Sequence, residues 1–159
     1  MLRISKLTDY ATVLLATLAA EPARQYTAAE LAERTRLALP TVSKLLKQLH
    51  RGQLLESSRG LRGGYRLARA PDAISAAAIL DALEGPLALT ECASASSHCE
   101  LEGTCRVGGA WQRINVAIRR SLEELTLAEL AGLERRGETR VVTFGLRLRS
   151  GPHSGNKTP

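Results

Sequence analysis

Leu39-Pro40-Thr41-Val42-Ser43-Lys44-Leu45-Leu46-Lys47-Gln48-Leu49-His50 is the stretch from which the fold is read. Proline is welcome in the first turn of a helix, where its missing N–H costs nothing. Val42, Leu45, Leu46 and Leu49 then recur at helical spacing and share one face. Thr41, Ser43, Lys44, Lys47 and Gln48 point outward, and Gly52 ends the helix. Upstream, Thr27-Ala28-Ala29-Glu30 is a capping box, in which the Thr hydroxyl takes a free amide and the Glu reaches back. It opens a short helix over residues 28–35 with Leu31 inside, and Arg36-Leu37-Ala38 is the turn between the two helices. Downstream, Leu54–Ser58 and Tyr65–Ala68 read as strands. The glycines of Arg59-Gly60-Leu61-Arg62-Gly63-Gly64 allow a tight hairpin with two arginines at its tip.

Two helices at a tight turn followed by an arginine-tipped hairpin predict a winged helix-turn-helix. The outward residues of the second helix then suit a major groove, and Arg59 and Arg62 a minor groove. The plain alternative is a helical hairpin with a solvated turn.

Charge supports the first reading. The net charge is +6, but residues 1–70 carry 12 Lys+Arg against 5 Asp+Glu, residues 71–134 carry 4 against 10, and residues 135–159 carry 6 against 1. A basic first half on an acidic body points to a polyanionic partner. Hydrophobic content of 44% with 3% aromatics calls for a core of Leu, Ala, Val and Ile. No apolar run is long enough to span a membrane. The N-terminus lacks a signal-peptide layout, and with three cysteines the chain is assigned to a reducing cytoplasm.

A first helix is expected over residues 4–20, burying Ile4, Leu7, Ala11, Leu14, Leu15 and Leu18 and stopped by Glu21-Pro22. Ala70-Pro71-Asp72 marks a boundary. Ser75 starts a helix with Ile79, Leu80 and Leu83 inside, closed by Gly85-Pro86. A long helix follows from Val107 to Glu124. Val107, Trp111, Ile114, Ile118 and Leu125, with Ser121 in step, form a heptad seam, which calls for a partner helix from a second copy. Thr126-Leu-Ala-Glu129 is a second capping box, opening a helix to about Leu133. The expected organisation is a DNA-binding domain over 1–70, a segment of loop and dimerisation helices over 71–134, and a disordered basic tail over 135–159, with Val141–Phe144 as a stray strand. The class is mainly α.

All three cysteines, Cys92, Cys99 and Cys105, lie within 14 residues of small polar sequence that reads as a loop. Soft thiolates that can converge on one point suit an iron–sulfur cluster. The spacing lacks the tight knuckle of structural zinc sites. Zinc and redox thiols stay open as alternatives. No nucleophile–base pair, phosphate loop or pair of acids at catalytic spacing occurs, so no enzyme and no small-molecule substrate are expected.

Thr8-Asp9-Tyr10-Ala11, Leu31-Ala32-Glu33, the wing sequence Arg59 to Leu67 and the cysteine loop before a long helix resemble the Rrf family of bacterial repressors, whose types include IscR and NsrR. The resemblance covers about residues 1–133. It is strongest to the regulator of the SUF iron–sulfur assembly system. It implies a homodimeric repressor on a palindromic DNA operator, with an iron–sulfur cluster, two-iron in preference to four-iron, on Cys92, Cys99 and Cys105. A nitric-oxide- or redox-sensing repressor is the neighbouring reading; an iron–sulfur electron-transfer or structural zinc protein is the one from another class. Two departures matter. The first cysteine gap is one residue longer than the family pattern, and the position of the histidine ligand of IscR is Gly108. The resemblance to NsrR-type proteins makes Asp9 the candidate fourth ligand, with His98 and Glu91 as local alternatives.

Overall fold

The computed structural model describes residues 5–60, 63–88 and 107–133. Its elements run α1 (Lys6–Ala19), α2 (Ala28–Thr35), α3 (Leu39–Arg51), β1 (Leu55–Ser58), β2 (Gly64–Leu67), a 3-10 turn (Pro71–Ala73), α4 (Ala76–Glu84), α5 (Gly108–Glu124) and α6 (Leu127–Leu130).

Helix α1 is central. Ser5 caps it by accepting from the Thr8 amide at 3.3 Å. Its Ala11, Leu14, Leu15 and Leu18 are fully buried, and α2, α3, α4, α6 and β2 pack around it. The capping box of α2 forms as its sequence requires: the Glu30 amide donates to Thr27 Oγ1 at 3.2 Å, and the Thr27 amide to Glu30 Oε2 at 2.8 Å. Arg36, at φ 56°, closes α2 in the left-handed region and turns the chain into α3. Val42, Leu45, Leu46 and Leu49 of α3 are all buried against α1 and α2.

The wing is a two-stranded antiparallel sheet that pairs Leu55 with Leu67 and Ser58 with Gly64. Tyr26 bridges to it, its amide donating to the Tyr65 carbonyl at 2.9 Å and its carbonyl accepting from the Tyr65 amide at 2.8 Å. Gly64 is required there, because a Cβ at that position would lie 2.7 Å from the Tyr26 carbonyl oxygen. Leu54, Leu55 and Leu67 complete the core on this side. The mainly α winged-helix class read from the sequence is the class observed.

The C-terminal half is stitched to the same core. The Ala76 amide donates to Leu125 O at 2.8 Å and the Leu127 amide to Ile74 O at 2.7 Å, on either side of a Ser75–Thr126 bridge. Ile74, Ile79 and Leu127 thereby join the buried cluster. Helix α6 ends at Leu130, short of the expected Leu133. Gly132, at φ 64°, takes the left-handed position and the Leu133 amide bonds back to Ala128 O at 2.9 Å, a glycine-terminated helix end. In α4 only Ile79 of the three expected residues is buried. Leu80 and Leu83 are half-buried, Leu80 because it lines an open cleft.

Helix α4 meets the end of α3 with no slack. A Cβ placed on Gly52 would lie 2.4 Å from the Ala82 Cβ and 3.3 Å from its Cα. Neither neighbour is the tip of a flexible side chain, so the helices themselves must part. Gly52→Val is therefore expected to destabilise the protein by about 1–3 kcal/mol, the usual cost of overpacking. The check is a lowered urea midpoint at unchanged m value; an unaltered midpoint would mean that the α3–α4 contact yields freely.

Candidate nucleic-acid interface

The outward face of α3 stands as its sequence pattern requires. Lys44 and Lys47 are exposed, and Thr41, Ser43 and Gln48 are half-buried at the edges of the same face. The buried leucines opposite fix this orientation, because the helix cannot rotate without exposing them. Arg59 is exposed at the end of β1. Arg62 lies outside the described residues.

Which cations are free for an anion is decided by who is already paired. Arg66 of β2 gives Nε (3.0 Å) and Nη2 (2.8 Å) to Glu56 Oε2 on the facing strand. Arg24 and Arg34 lie 4.6 Å and 5.1 Å from the Tyr26 ring centroid, and the Tyr26 hydroxyl donates to Glu21 at 2.9 Å. Those arginines also pair with Glu21, Arg24 with Glu30 as well. The side chains of Lys44, Lys47 and Arg59 make no hydrogen bond or ion pair among the described residues. The wing is braced by Ser58 Oγ donating to Gln25 Oε1 at 2.9 Å, a support that no short-range pattern announces across 33 residues.

The cysteine segment, with Cys92, Cys99, Cys105 and the alternatives His98 and Glu91, lies outside the described residues. Its anchors do not. On the entry side, Glu84 Oε1 accepts from the Ser5 amide at 3.1 Å and from the Thr8 hydroxyl, so the last residue of α4 caps the first turn of α1. The carboxylate also sits at the positive end of that helix. The Thr8 and Ser5 bonds hold its pKa below the ordinary value. On the exit side, α5 is clamped to α4. Arg119 gives Nη1 and Nη2 to the two oxygens of Asp81 at 2.9 Å and 2.7 Å, and Asn115 donates to Leu87 O at 3.2 Å. The Asp81 bonds, followed by that to Glu123, push the Arg119 pKa upward. Neither Glu84 nor Arg119 shows in the sequence as more than a solvated charge; only the fold brings them to partners 79 and 38 residues away.

Asp9 is exposed on α1, beside the buried Thr8 that holds Glu84. Gly108 opens α5 and offers no side-chain donor. Along α5 no residue is buried; Val107, Trp111 and Ile114 of the heptad seam are 59%, 43% and 44% exposed, and Ile118 is half-buried. Leu125, the last seam residue, falls one position past the helix, where the chain turns extended to make the Ala76 bond.

A carboxylate held below its ordinary value stabilises the fold above that value and loses this contribution as the pH falls through the folded value. The stability gap between wild type and Glu84→Gln is thus expected to be constant near neutrality and to shrink as the pH drops below 4.5, the ordinary glutamate value. Parallel denaturant titrations from pH 7 to pH 3 read it; a gap that widens toward acid would remove Glu84 from this role.

Residues 4–132 match the family model Rrf2, described as an iron-dependent transcriptional regulator. The HTH-type transcriptional regulator NsrR of Halalkalibacterium halodurans is 30% identical over 131 residues, 81% of this chain and 90% of that protein. The HTH-type transcriptional regulator IscR of Sodalis glossinidius is 32% identical over 106 residues, 67% of this chain and 64% of that protein. Among solved structures, CymR of B. subtilis, a global cysteine regulator, is similar with a TM-score of 0.65 at 29% identity, covering 85% of this chain and 100% of that one. T. potens IscR is similar with a TM-score of 0.63 at 26% identity, covering 87% and 93%.

Proposed function

The chain belongs to the Rrf2 family of transcriptional regulators, and we propose from this that it is a dimeric, cytoplasmic DNA-binding repressor that reports iron–sulfur cluster status to SUF-type assembly genes. The observation that carries the reading is the pairing of an unengaged cationic helix face, Lys44 and Lys47, with three thiols within 14 residues on the same chain. The family is one of regulators and not of enzymes.

The donor set fits the cofactor. Cys92, Cys99 and Cys105 would hold a two-iron cluster, since soft thiolates are the ligands such clusters take. Asp9 is the exposed oxygen donor assigned to the fourth position. A bound cluster supplies an iron centre whose loss or modification is the signal.

The rest is done by the chain's own groups. Glu84 ties the entry to the cysteine segment to α1, and Arg119 and Asn115 tie its exit to α4. Helix α4 is in turn locked to the end of α3 at Gly52. A rearrangement of the segment therefore moves the support of the recognition helix, and in a dimer it alters the spacing between two such helices. The equilibrium between the two arrangements can shift by no more than the difference in cofactor affinity between them. Thr41, Ser43, Lys44, Lys47 and Gln48 address the major groove; Arg59 and Arg62 address the minor groove and backbone. A thiol redox sensor of the same fold is the second reading, favoured by three thiols within 14 residues, two of which could pair as a disulfide.

Two experiments test the proposal. Anaerobically purified wild type should show visible absorption with matching iron and sulfide, and the Cys92→Ser, Cys99→Ser, Cys105→Ser triple variant should lose all three. Retention of iron and sulfide by the triple variant would refute the ligand assignment, and a colourless zinc-loaded wild type would refute the cluster. In DNA titrations over a range of salt, Lys44→Ala should weaken binding and reduce the slope of log K against log salt by about 1; an unchanged slope would place the phosphate contact elsewhere.

A further inference from the structure

We propose that Gln48 is kept in the free protein with its amide oxygen buried and unpaired, and is released to read one adenine when α3 enters the major groove. This rests on the DNA-binding reading above and deepens it by naming the residue that discriminates, the base it selects and the state in which it waits. Gln48 lies on α3 one turn after the exposed Lys44 and one turn before Gly52, where α4 packs against the helix. The residue as a whole is half-buried, but its Oε1 is buried and has no hydrogen-bond partner among the described residues. No other described side chain shares that condition.

A buried acceptor without a donor costs free energy that an apolar group of the same shape does not. Native proteins keep few such groups, and each calls for an explanation. Packing supplies none here, because Met has the length of Gln and would fill the same space without a polar atom. A ligand that brings the missing donor does supply one. The chemistry of Oε1 then narrows the choice. Phosphate and deoxyribose within a strand offer acceptors, so the donor must come from a base edge. In the major groove the donors are the amino groups of adenine and cytosine, and adenine alone sets an acceptor, N7, beside its amino group on the same base. The Gln48 amide matches that pair: Oε1 accepts from N6 while Nε2 donates to N7. Lys44 and Lys47, exposed and unengaged among the described residues, suit the phosphates on either side. The unbranched side chain gives Gln48 the reach to turn from the α4 edge of the helix to its outward face.

The test starts from a duplex recovered by selection with the full-length protein. Replacing each A·T pair in turn by G·C should find a position where the wild type loses about tenfold or more in affinity, the scale of one bidentate base contact, and Gln48→Met loses nothing. At that position 7-deazaadenine, which keeps the amino group and lacks N7, should reproduce part of the loss in the wild type alone. The same Gln48→Met change should raise the urea midpoint of the free protein at unchanged m value. A variant that keeps the wild-type preference at every position would remove Gln48 from base reading. With the wild type alone, 7-deazaadenine duplexes that all bind equally would do the same. A midpoint that is unchanged or falls would mean that water already satisfies the oxygen in the free protein, and would overturn the stored state. Failure of the selection to enrich any sequence would instead sink the DNA-binding reading, and this proposal with it.

Discussion

Gly52 has no room for a methyl group, and the rest of the architecture depends on that contact. It sits where the outward-facing helix α3 ends, and the α4 backbone and the Ala82 methyl fill the space that a side chain would take. Interiors packed to this density transmit displacement instead of absorbing it. Helix α4 touches α3, the capped end of α1 and the long helix α5 together.

Electrostatics is arranged along the same lines. The bonded ion pairs hold elements together: Arg66 with Glu56 across the wing, Arg119 with Asp81 between α5 and α4, and Arg24 and Arg34 with Glu21 around the Tyr26 ring. Partly exposed pairs like these add little stability singly. Their effect here is to hold elements together while Lys44 and Lys47 on α3 and Arg59 beside the wing stay unengaged among the described residues.

Local chemistry wrote most of the fold into the sequence. Both capping boxes, the serine cap at Ser75, the proline in the first turn of α3 and the heptad spacing of α5 are short-range signals, and each element they announce starts within a residue of its signal. Differences arise where a long-range partner decides the outcome. Leu125 continues the seam in the sequence but leaves the helix to bond Ala76, and α6 stops early because Gly132 can adopt a left-handed backbone. The face of α3 was legible from its period alone. The Glu84 cap on α1, the Asp81–Arg119 clamp and the Gly52–Ala82 contact were not, since they join residues that only the tertiary fold makes neighbours. The cysteine cluster is legible as composition and spacing, and its support is visible only as the two anchors that flank it.

The central claim is that the state of the cysteine segment governs DNA affinity through α4. Its most direct test is a titration of one DNA sequence, recovered by selection from random duplexes with the full-length protein, by the iron-loaded and iron-free forms of a single anaerobic preparation at matched salt. The account predicts dissociation constants that differ by about tenfold or more, a coupling within the ordinary range for linked sites, with the triple cysteine variant matching the iron-free form. Equal constants for all three proteins would contradict it.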